Sequence, residues 1–270
     1  MIHFGVSTAC LYPTYTEDAL FELISKGVRR FEIFFNTISE IQPEFLKMLR
    51  KMCDDNNCRI KSIHPFTSGY EPYLIFTDYE RRVQDTLDFY KRYYETAQFL
   101  GADILILHGD RKTAEIGISD EEYFENFLRL SEIGDKYGVT LAQENVNLFR
   151  AQHPDFIIKM KSYLKERAKF VLDIKQSVRS GNDPYKVCEA MGSGLVHIHI
   201  NDNTITHDCL LPKQGSMDFQ RLFDQLERQN YNGDMILEVY KYNYNAVDEL
   251  IDSYKAIQLE YEKHLSGRTN

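Results

Sequence analysis

The sequence lacks the features of a membrane protein and of a general nucleic-acid-binding protein. No apolar run approaches the roughly 18 residues that a membrane-spanning helix requires. Acidic residues outnumber basic ones by 41 to 32, and the net charge of −9 is opposite to what a phosphate-binding surface needs. We therefore expect no membrane partner and no nucleic-acid partner.

Cysteine is also scarce, and its distribution does not suggest a disulfide framework. The count is odd and no Cys-x-x-Cys pair occurs, which is typical of reduced thiols. The first residues, Met1–Ser7, are predicted to form a strand and lack the basic and apolar stretches of a signal peptide. These features predict a soluble, cytoplasmic protein. The cysteines are Cys10, Cys53, Cys58, Cys188 and Cys209.

No linker rich in Pro, Gly or Ser divides the 270 residues, so we expect a single domain over residues 1–270. Short apolar runs alternate with longer helical patterns along the whole chain. The runs are rich in Val, Ile, Leu and Phe, as expected for parallel strands that are buried on both faces. The predicted strands are Ile2–Thr8, Arg30–Phe35, Arg59–His64, Ile104–His108, Thr140–Glu144, Phe170–Ile174, Leu195–Ile200 and Met235–Val239.

The segments between the strands have helical patterns. Apolar residues from Val83 to Ala97 recur at spacings of three and four, which predicts one long helix. Ser119 and Glu122 match a capping box at the start of another helix. Glycine ends several of these segments, because it adopts the left-handed geometry of a helix terminus at little cost. The glycines that precede predicted strands are Gly27, Gly101 and Gly138.

Eight strands alternating with helices predict an α/β fold, a single (β/α)8 TIM barrel. The main alternative is an open, doubly wound sheet. Such sheets usually carry a glycine-rich turn after the first strand, and the segment Ser7–Cys10 contains no glycine. The barrel is therefore the favoured architecture.

Ionisable residues lie at the ends of seven of the eight predicted strands. Any one of them could be a buried structural histidine or a helix cap. The carboxyl ends of barrel strands, however, meet at one rim, and burying so many ionisable groups is costly unless they are paired or bind a cation. The set favours a functional site at this rim. Its members are Glu32, His64, His108, Glu144, Asp173, His199 and Glu238.

Four of these residues form a predicted metal site. Glu144, Asp173, His199 and Glu238 end the last four strands, so they would converge on one side of the barrel mouth. Three carboxylates and one imidazole suit one divalent metal ion, Mn or Mg first, with Zn or Co also tolerated. The absence of a thiolate makes a structural zinc site a poor fit.

The residues at these strand ends resemble those of the xylose-isomerase-like TIM barrels. This family includes ketose 3-epimerases, inosose isomerases and dehydratases, hydroxypyruvate isomerases and apurinic endonucleases. The resemblance extends from Phe4 to the last strand. Each matching motif is short, so the evidence for the resemblance is the order and spacing of the motifs along the chain. The matching segments are Leu141–Asn145, Val171–Asp173, Val196–Asp202 and Leu237–Tyr240.

The resemblance implies the same four metal ligands and makes Glu144 and Glu238 the catalytic acid and base. The implied activity is that of an isomerase or epimerase of a small sugar, keto-polyol or sugar phosphate. It would proceed by proton abstraction α to a carbonyl, through a metal-stabilised enediolate. The implied partner is a small-molecule carbohydrate substrate. Glu32, His64 and His108 are expected to bind substrate hydroxyls.

The sequence departs from the family pattern after strands six and seven. Many relatives have Asp-x-x-His on strand six, whereas here Gln176 follows Asp173, and an amide binds hydroxyls but is a poor zinc ligand. Gln176 is therefore a fourth expected substrate-binding residue. The Asp-x-His pair of the endonucleases is absent after His199, and Ile205 stands near the position of an epimerase arginine. Lys175, Lys213 and Lys241 are candidate contacts for an anionic group.

Other functions remain open at this stage. A dehydratase would begin with the same α-proton removal, so the sequence does not separate it from an isomerase. An apurinic endonuclease is disfavoured by the missing zinc ligands and the acidic charge. A barrel that binds carbohydrate without turnover would need no metal. Tyr90, Tyr93 and Tyr94 are predicted either to support a homo-oligomer or to be core residues.

Overall fold

The computed structural model describes residues 1–111 and 117–267. Within these residues, eight parallel strands form a closed barrel in which each strand pairs with its neighbours in sequence. Closure comes from β1 against β8, where His3 pairs with Asp234 and Val6 with Leu237. The strands are β1 (His3–Ser7), β2 (Arg30–Phe34), β3 (Arg59–His64), β4 (Ile104–Leu107), β5 (Thr140–Glu144), β6 (Phe170–Asp173), β7 (Leu195–Ile200) and β8 (Asp234–Leu237). The predicted barrel is thereby confirmed.

Helices fill the connections and cover the outside of the barrel. They are α1 (Thr16–Ser25), α2 (Pro43–Asp55), α3 (Glu71–Leu74), α4 (Glu80–Leu100), α5 (Asp120–Asp135), α6 (Pro154–Leu164), α7 (Ile174–Arg179), α8 (Pro184–Met191), α9 (Phe219–Arg228) and α10 (Val247–Ser266). Among the described residues, no helix combines the length and the apolar character needed to cross a membrane.

The local helix signals of the sequence are confirmed. Helix α4 spans the predicted periodic segment, and α5 begins with a capping box in which Ser119 accepts from the Glu122 backbone N–H. The glycine of each predicted helix end has a positive φ, 95° at Gly27, 73° at Gly101 and 69° at Gly138. Glycine fits these positions because other residues rarely adopt such angles.

The ends of five predicted strands (the first, second, fourth, sixth and eighth) differ by one or two residues from those observed, and of the two roles predicted for three tyrosines the structure shows one. Ile174 was predicted to end the sixth strand, but it begins α7, because the Asp173 side chain accepts a hydrogen bond from the Gln176 backbone N–H and caps that helix. Tyr90, Tyr93 and Tyr94 are completely buried between the helices and the barrel. They are core residues and offer no surface to a second copy of the chain.

The inside of the barrel changes from apolar to polar along its axis. Ile104, Ile106, Ala142 and Val171 form a small apolar cluster within it. Toward the carboxyl ends of the strands lie the fully buried side chains of Glu32, Ser62, His197 and His199. A polar layer in this position can persist only if its members satisfy one another, and it forms the floor of the site.

Candidate metal centre and substrate pocket

The four predicted metal ligands come together at the carboxyl end of the barrel. Glu144 and Asp173 are the last residues of β5 and β6, His199 lies near the end of β7, and Glu238 follows β8. One ligand atom from each lies within 4.8 Å of the others. His199 Nδ1 is 3.5 Å from Glu144 Oε1, 3.6 Å from Asp173 Oδ2 and 3.2 Å from Glu238 Oε2.

The hydrogen bonding of this group fits a bound cation. His199 Nδ1 is buried and has no hydrogen-bond partner among the described residues, although it faces three carboxylates. Glu144 Oε2 is also buried without a hydrogen bond of adequate geometry. Unsatisfied buried polar atoms are costly, and a divalent ion that accepts their lone pairs would remove that cost. The donor set therefore suits the predicted oxygen-rich divalent site.

Glu32 holds His199 in the required orientation from below. His199 Nε2 is 3.1 Å from Glu32 Oε2, which also accepts a 2.7 Å hydrogen bond from Ser62 and lies 3.3 Å from His197 Nε2. Burial alone would raise the pKa of Glu32, but the His199 and His197 imidazoles outweigh it and hold that pKa well below its ordinary value. An ionised Glu32 accepts the Nε2 proton of His199 and so orients the ring with Nδ1 toward the carboxylates.

A second group of potential ligands shares Glu144. His64 Nε2 and His108 Nε2 are 2.8 Å apart, and Glu144 Oε2 lies 3.7 Å from the former and 3.1 Å from the latter. His64 is fixed on its other side, where Nδ1 lies 3.2 Å from the Ser68 hydroxyl. The two oxygens of Glu144 thus face different groups, Oε1 toward His199 and Oε2 toward the two histidines.

The two glutamates of the centre are ionised. Burial favours the neutral form of Glu144, but attraction to His108 and the contacts of this carboxylate with the His108, His199 and His64 imidazoles outweigh burial, so the pKa of Glu144 lies well below the ordinary value. The pKa of Glu238 is also lowered, since attraction to Lys175 and His199 exceeds the effect of burial. Both carboxylates can therefore accept a proton at neutral pH.

Lys175 is a member of the site that strand-end positions do not predict. Its side chain is buried, and Nζ donates short hydrogen bonds to Asp173 Oδ2 and Glu238 Oε2. Burial would lower the pKa of Lys175, but the two carboxylates raise it well above its ordinary value. In the sequence, only the position of Lys175, two residues after the predicted ligand Asp173, indicated that it lies near the site. The other candidate lysines lie elsewhere, with Lys213 paired to Glu260 and Lys241 over the ring of Tyr244.

A cavity of about 390 Å³ opens above this group. The predicted substrate-binding residues His64, His108 and Gln176 line it, as do Glu144 and Glu238. Glu32 does not line it, because it lies in the floor beneath His199. One wall of the cavity is aromatic. The ionisable residues at the strand ends did not predict this wall, although two of its members, Phe34 and Phe35, directly follow Ile33 of β2. The aromatic residues are Tyr12, Phe34, Phe35, Phe66 and Tyr240.

The segment after β3 is anchored by buried contacts. The Thr67 hydroxyl is 3.0 Å from the Tyr93 hydroxyl, and Ser68 contacts His64. Glu71 is completely buried, accepting hydrogen bonds from the Gly109 backbone N–H at 2.6 Å and from the Tyr90 hydroxyl at 2.8 Å. These contacts tie the β3 loop to the turn that follows His108, so both histidines of the cavity share one support.

A closed βα barrel with carboxylates and histidines converging at the carboxyl ends of its strands defines a class of protein whose active sites lie at that rim. The model of the xylose isomerase-like TIM barrel matches residues 21–258. The chain belongs to this family, which confirms the resemblance inferred from the strand-end motifs.

Individual relatives are distant in sequence. An uncharacterized protein of Mycobacterium leprae is 24% identical, covering 88% of this chain and 89% of its own. The crystal structure of a D-tagatose 3-epimerase-like protein is 20% identical, with a TM-score of 0.79 and complete coverage of both chains. That of 3-keto-D-glucoside 4-epimerase from E. coli, in its apo form, is 16% identical, with a TM-score of 0.75, covering 96% of this chain and 100% of that one. At sequence identities this low, the structural similarity establishes a shared fold.

Proposed function

We propose that the protein is a divalent-metal-dependent isomerase or epimerase of a small sugar, keto-polyol or sugar phosphate. The observation that carries the proposal is the convergence of ligand atoms from Glu144, Asp173, His199 and Glu238 beneath an open cavity. Two structural relatives, a D-tagatose 3-epimerase-like protein and a 3-keto-D-glucoside 4-epimerase, support this substrate class. The expected cofactor is one divalent metal ion, either Mn, Mg, Zn or Co.

The four ligands divide into two supporting and two reacting residues. Asp173 and His199 are completely buried, and neither lines the cavity. Glu144 and Glu238 do line it, on strands that are three places apart around the barrel. A substrate held between them would therefore present different faces to the two carboxylates, as inversion of a carbon centre requires.

Proton transfer is the step that these residues perform. One ionised glutamate removes the proton from the carbon α to the substrate carbonyl, and the electron pair of that C–H bond moves toward the carbonyl oxygen. A bound divalent ion would supply Lewis-acid stabilisation of the developing negative charge. For inversion, the opposite glutamate takes a proton from solvent and delivers it to the other face of the same carbon, and the first glutamate releases the abstracted proton to solvent. For aldose–ketose interconversion, the first glutamate returns its proton to the former carbonyl carbon, and the hydroxyl proton passes to the former carbonyl oxygen. His64, His108 and Gln176 are placed to hold the substrate hydroxyls.

The test combines metal analysis with solvent deuterium exchange. Wild-type protein, loaded with Mn²⁺ or Co²⁺, is incubated in D₂O with a panel of ketoses, inososes and their phosphates. We expect one bound ion per chain and deuterium at the carbon α to the carbonyl of one substrate. Glu144→Gln and Glu238→Gln should reduce exchange by about 10²- to 10⁴-fold, the usual contribution of a general acid or base.

Two controls make the result specific. Glu40→Gln replaces another buried glutamate, one that accepts a hydrogen bond from the Asn36 backbone N–H, and should retain full exchange. His199→Ala should lose the ion while circular dichroism shows a folded protein. Exchange that persists in both glutamate variants, or that needs no divalent ion, would overturn the proposal. An absorbing enone or diketone product would identify a dehydratase instead.

One observation favours a second candidate, hydrolysis at a two-metal centre. Glu144 directs one oxygen to His199 and the other to His64 and His108, which is the arrangement of a bridging carboxylate. This candidate predicts two bound ions per chain and cleavage of a phosphate ester without α-proton exchange. The metal count and the exchange assay together separate the two functions.

A further inference from the structure

Lys175 occupies an unusual position for a lysine beside predicted metal ligands. Strand β6 ends at Asp173 and α7 begins at Ile174, so Lys175 lies in the first turn of that helix, next to the end of the strand. The residue is 3% exposed. Its ammonium donates hydrogen bonds to Asp173 Oδ2 and Glu238 Oε2, which come from different strands.

The two oxygens that Lys175 contacts belong to predicted metal ligands and are the oxygens that face His199. Asp173 Oδ2 and Glu238 Oε2 are the atoms that lie 3.6 Å and 3.2 Å from His199 Nδ1. A divalent ion between His199 and these carboxylates would need the same oxygens at bonding distance. An ammonium held against both of them would then lie only a few ångströms from a second positive charge, in a buried setting where charges are weakly screened.

We propose that Lys175 is a resident competing cation, which must leave Asp173 and Glu238 before a divalent ion can be fully bound. The proposal rests on the metal dependence of the proposed function. Lys175 also lines the cavity, and its Nζ lies 5.7 Å from the centre of the Tyr240 ring. The cavity beside that ring is where the displaced ammonium moves, since the attraction of a cation to an aromatic face offsets part of its lost ion pairing.

A purely structural role of Lys175 would have the opposite effect on metal affinity. If Lys175 only neutralised Asp173 and Glu238 to hold the site together, its removal would loosen the ligands and weaken metal binding. If it competes, its removal frees two ligands and lifts the repulsion, so that metal binding becomes tighter. The sign of the change in metal affinity therefore distinguishes the two roles.

The experiment is a Co²⁺ titration of the metal-free full-length chain, followed by the visible absorption of the ion, with Mn²⁺ titration by the paramagnetic resonance of free Mn²⁺ as a second readout. Lys175→Met keeps the length of the side chain and removes the charge. We expect its dissociation constant to be at least about ten-fold lower than that of the wild type, since a buried like charge has been removed. Lys175→Gln should change in the same direction and serves if the methionine variant does not fold.

Lys61→Met is the matched control. Lys61 Nζ also lies between two carboxylates, 2.7 Å from Asp103 and 3.7 Å from Asp234, but at the opposite end of the barrel. Its removal changes the net charge equally and should leave the dissociation constant unchanged. An equal gain in affinity in the Lys61 variant would overturn the proposal, because it would show a general charge effect.

The remaining outcomes separate this inference from the proposed function. Metal binding by the wild type with unchanged or weaker affinity in Lys175→Met would overturn the role of Lys175 alone. Binding of one ion by Lys175→Met but none by the wild type would support competition and overturn the metal dependence of the natural protein. No binding by either protein would overturn both.

Discussion

His199 Nε2 lies 3.1 Å from Oε2 of Glu32, and this contact leaves Nδ1 as the nitrogen that faces the carboxylates of the predicted metal ligands. Glu32 is completely buried and does not line the cavity. We infer that Glu32 is a positioning residue that accepts the Nε2 proton of His199 and so directs Nδ1 at the three carboxylates.

Glu32→Gln should weaken metal binding while leaving all four ligands in place. The amide oxygen can still accept from His199 Nε2 but carries no charge, so it holds the imidazole in this orientation less strongly. We expect a loss of about 10- to 100-fold in metal affinity, the usual effect of removing an outer partner of a ligating histidine. The measurement is the same Co²⁺ titration, and Glu40→Gln is the control. Unchanged affinity in Glu32→Gln would show that Glu32 does not orient His199.

Glu71 should make the protein less stable as the pH rises. Burial is the main cause that raises the pKa of Glu71 from 4.5 to about 8. Between these values the folded chain holds a proton that the unfolded chain has released, so the free energy of unfolding falls as pH rises, by up to about 1.4 kcal/mol per pH unit. Above the folded pKa this dependence ends.

Urea unfolding at several values between pH 5 and pH 8 measures this effect. Glu71→Gln retains an acceptor for the Gly109 N–H, and its amide N–H can donate to the Tyr90 hydroxyl once that hydroxyl rotates to accept. The glutamine does not titrate, so the stability of this variant should fall less over this range than that of the wild type. Glu122→Gln is the control. The pKa of Glu122 is lowered by its hydrogen bonds with Ser119, so its titration lies below this range. Parallel curves for the wild type and Glu71→Gln would contradict the prediction.

Arg150, in the segment after β5, should contribute strongly to stability through its contacts with the segment that follows β4. It is 7% exposed, and its guanidinium donates to Asp110 at 2.8 Å, to Asp120 at 3.0 Å and to the Ile118 carbonyl at 2.5 Å. Arg150→Met leaves the buried Asp110 carboxylate without its cation. We expect a loss of about 3–5 kcal/mol in the free energy of unfolding, measured by urea denaturation.

A double-mutant cycle tests the origin of that loss. Asp110→Asn removes the charge that Arg150→Met leaves unpaired, so the two substitutions together should cost less than the sum of their separate effects. Additive effects would show that the Arg150 contribution comes from packing instead. The Arg167→Met variant, which removes an exposed ion pair with Asp135, should change stability by less than about 1 kcal/mol.

The five cysteines should differ in reactivity although all are free thiols. Cys10, Cys53, Cys188 and Cys209 are buried, and burial raises the pKa of each to about 12. Cys58 is only partly buried. Titration of the native protein with a disulfide reagent at pH 8 should therefore modify Cys58 first, and Cys58→Ser should abolish this phase. The other thiols should react after unfolding, and rapid native reaction of several would contradict the burial.

The amino-acid sequence by itself determined the succession of strands and helices. The apolar runs, the Ser119 capping box and the glycines at helix ends are local signals, so they can be interpreted without knowledge of distant contacts. The ionisable residues at the strand ends could also be placed at one rim, because parallel strands in a barrel all point the same way. At Ile174 the apolar character of the residue favoured continuation of the strand, but the capping of α7 by Asp173 ended β6 one residue earlier.

The tertiary structure decided what each rim residue faces. Glu32 lies two residues before the end of β2 and pairs with Ser62, whereas Phe34 at the end of that strand pairs with His64. Glu32 thus lies beneath His199, whereas His64 and His108 reach the cavity. The contact of Lys175 with Glu238 joins residues 63 positions apart in the chain. No local pattern encodes such a contact, because it exists only after β6 and β8 are fixed on either side of β7.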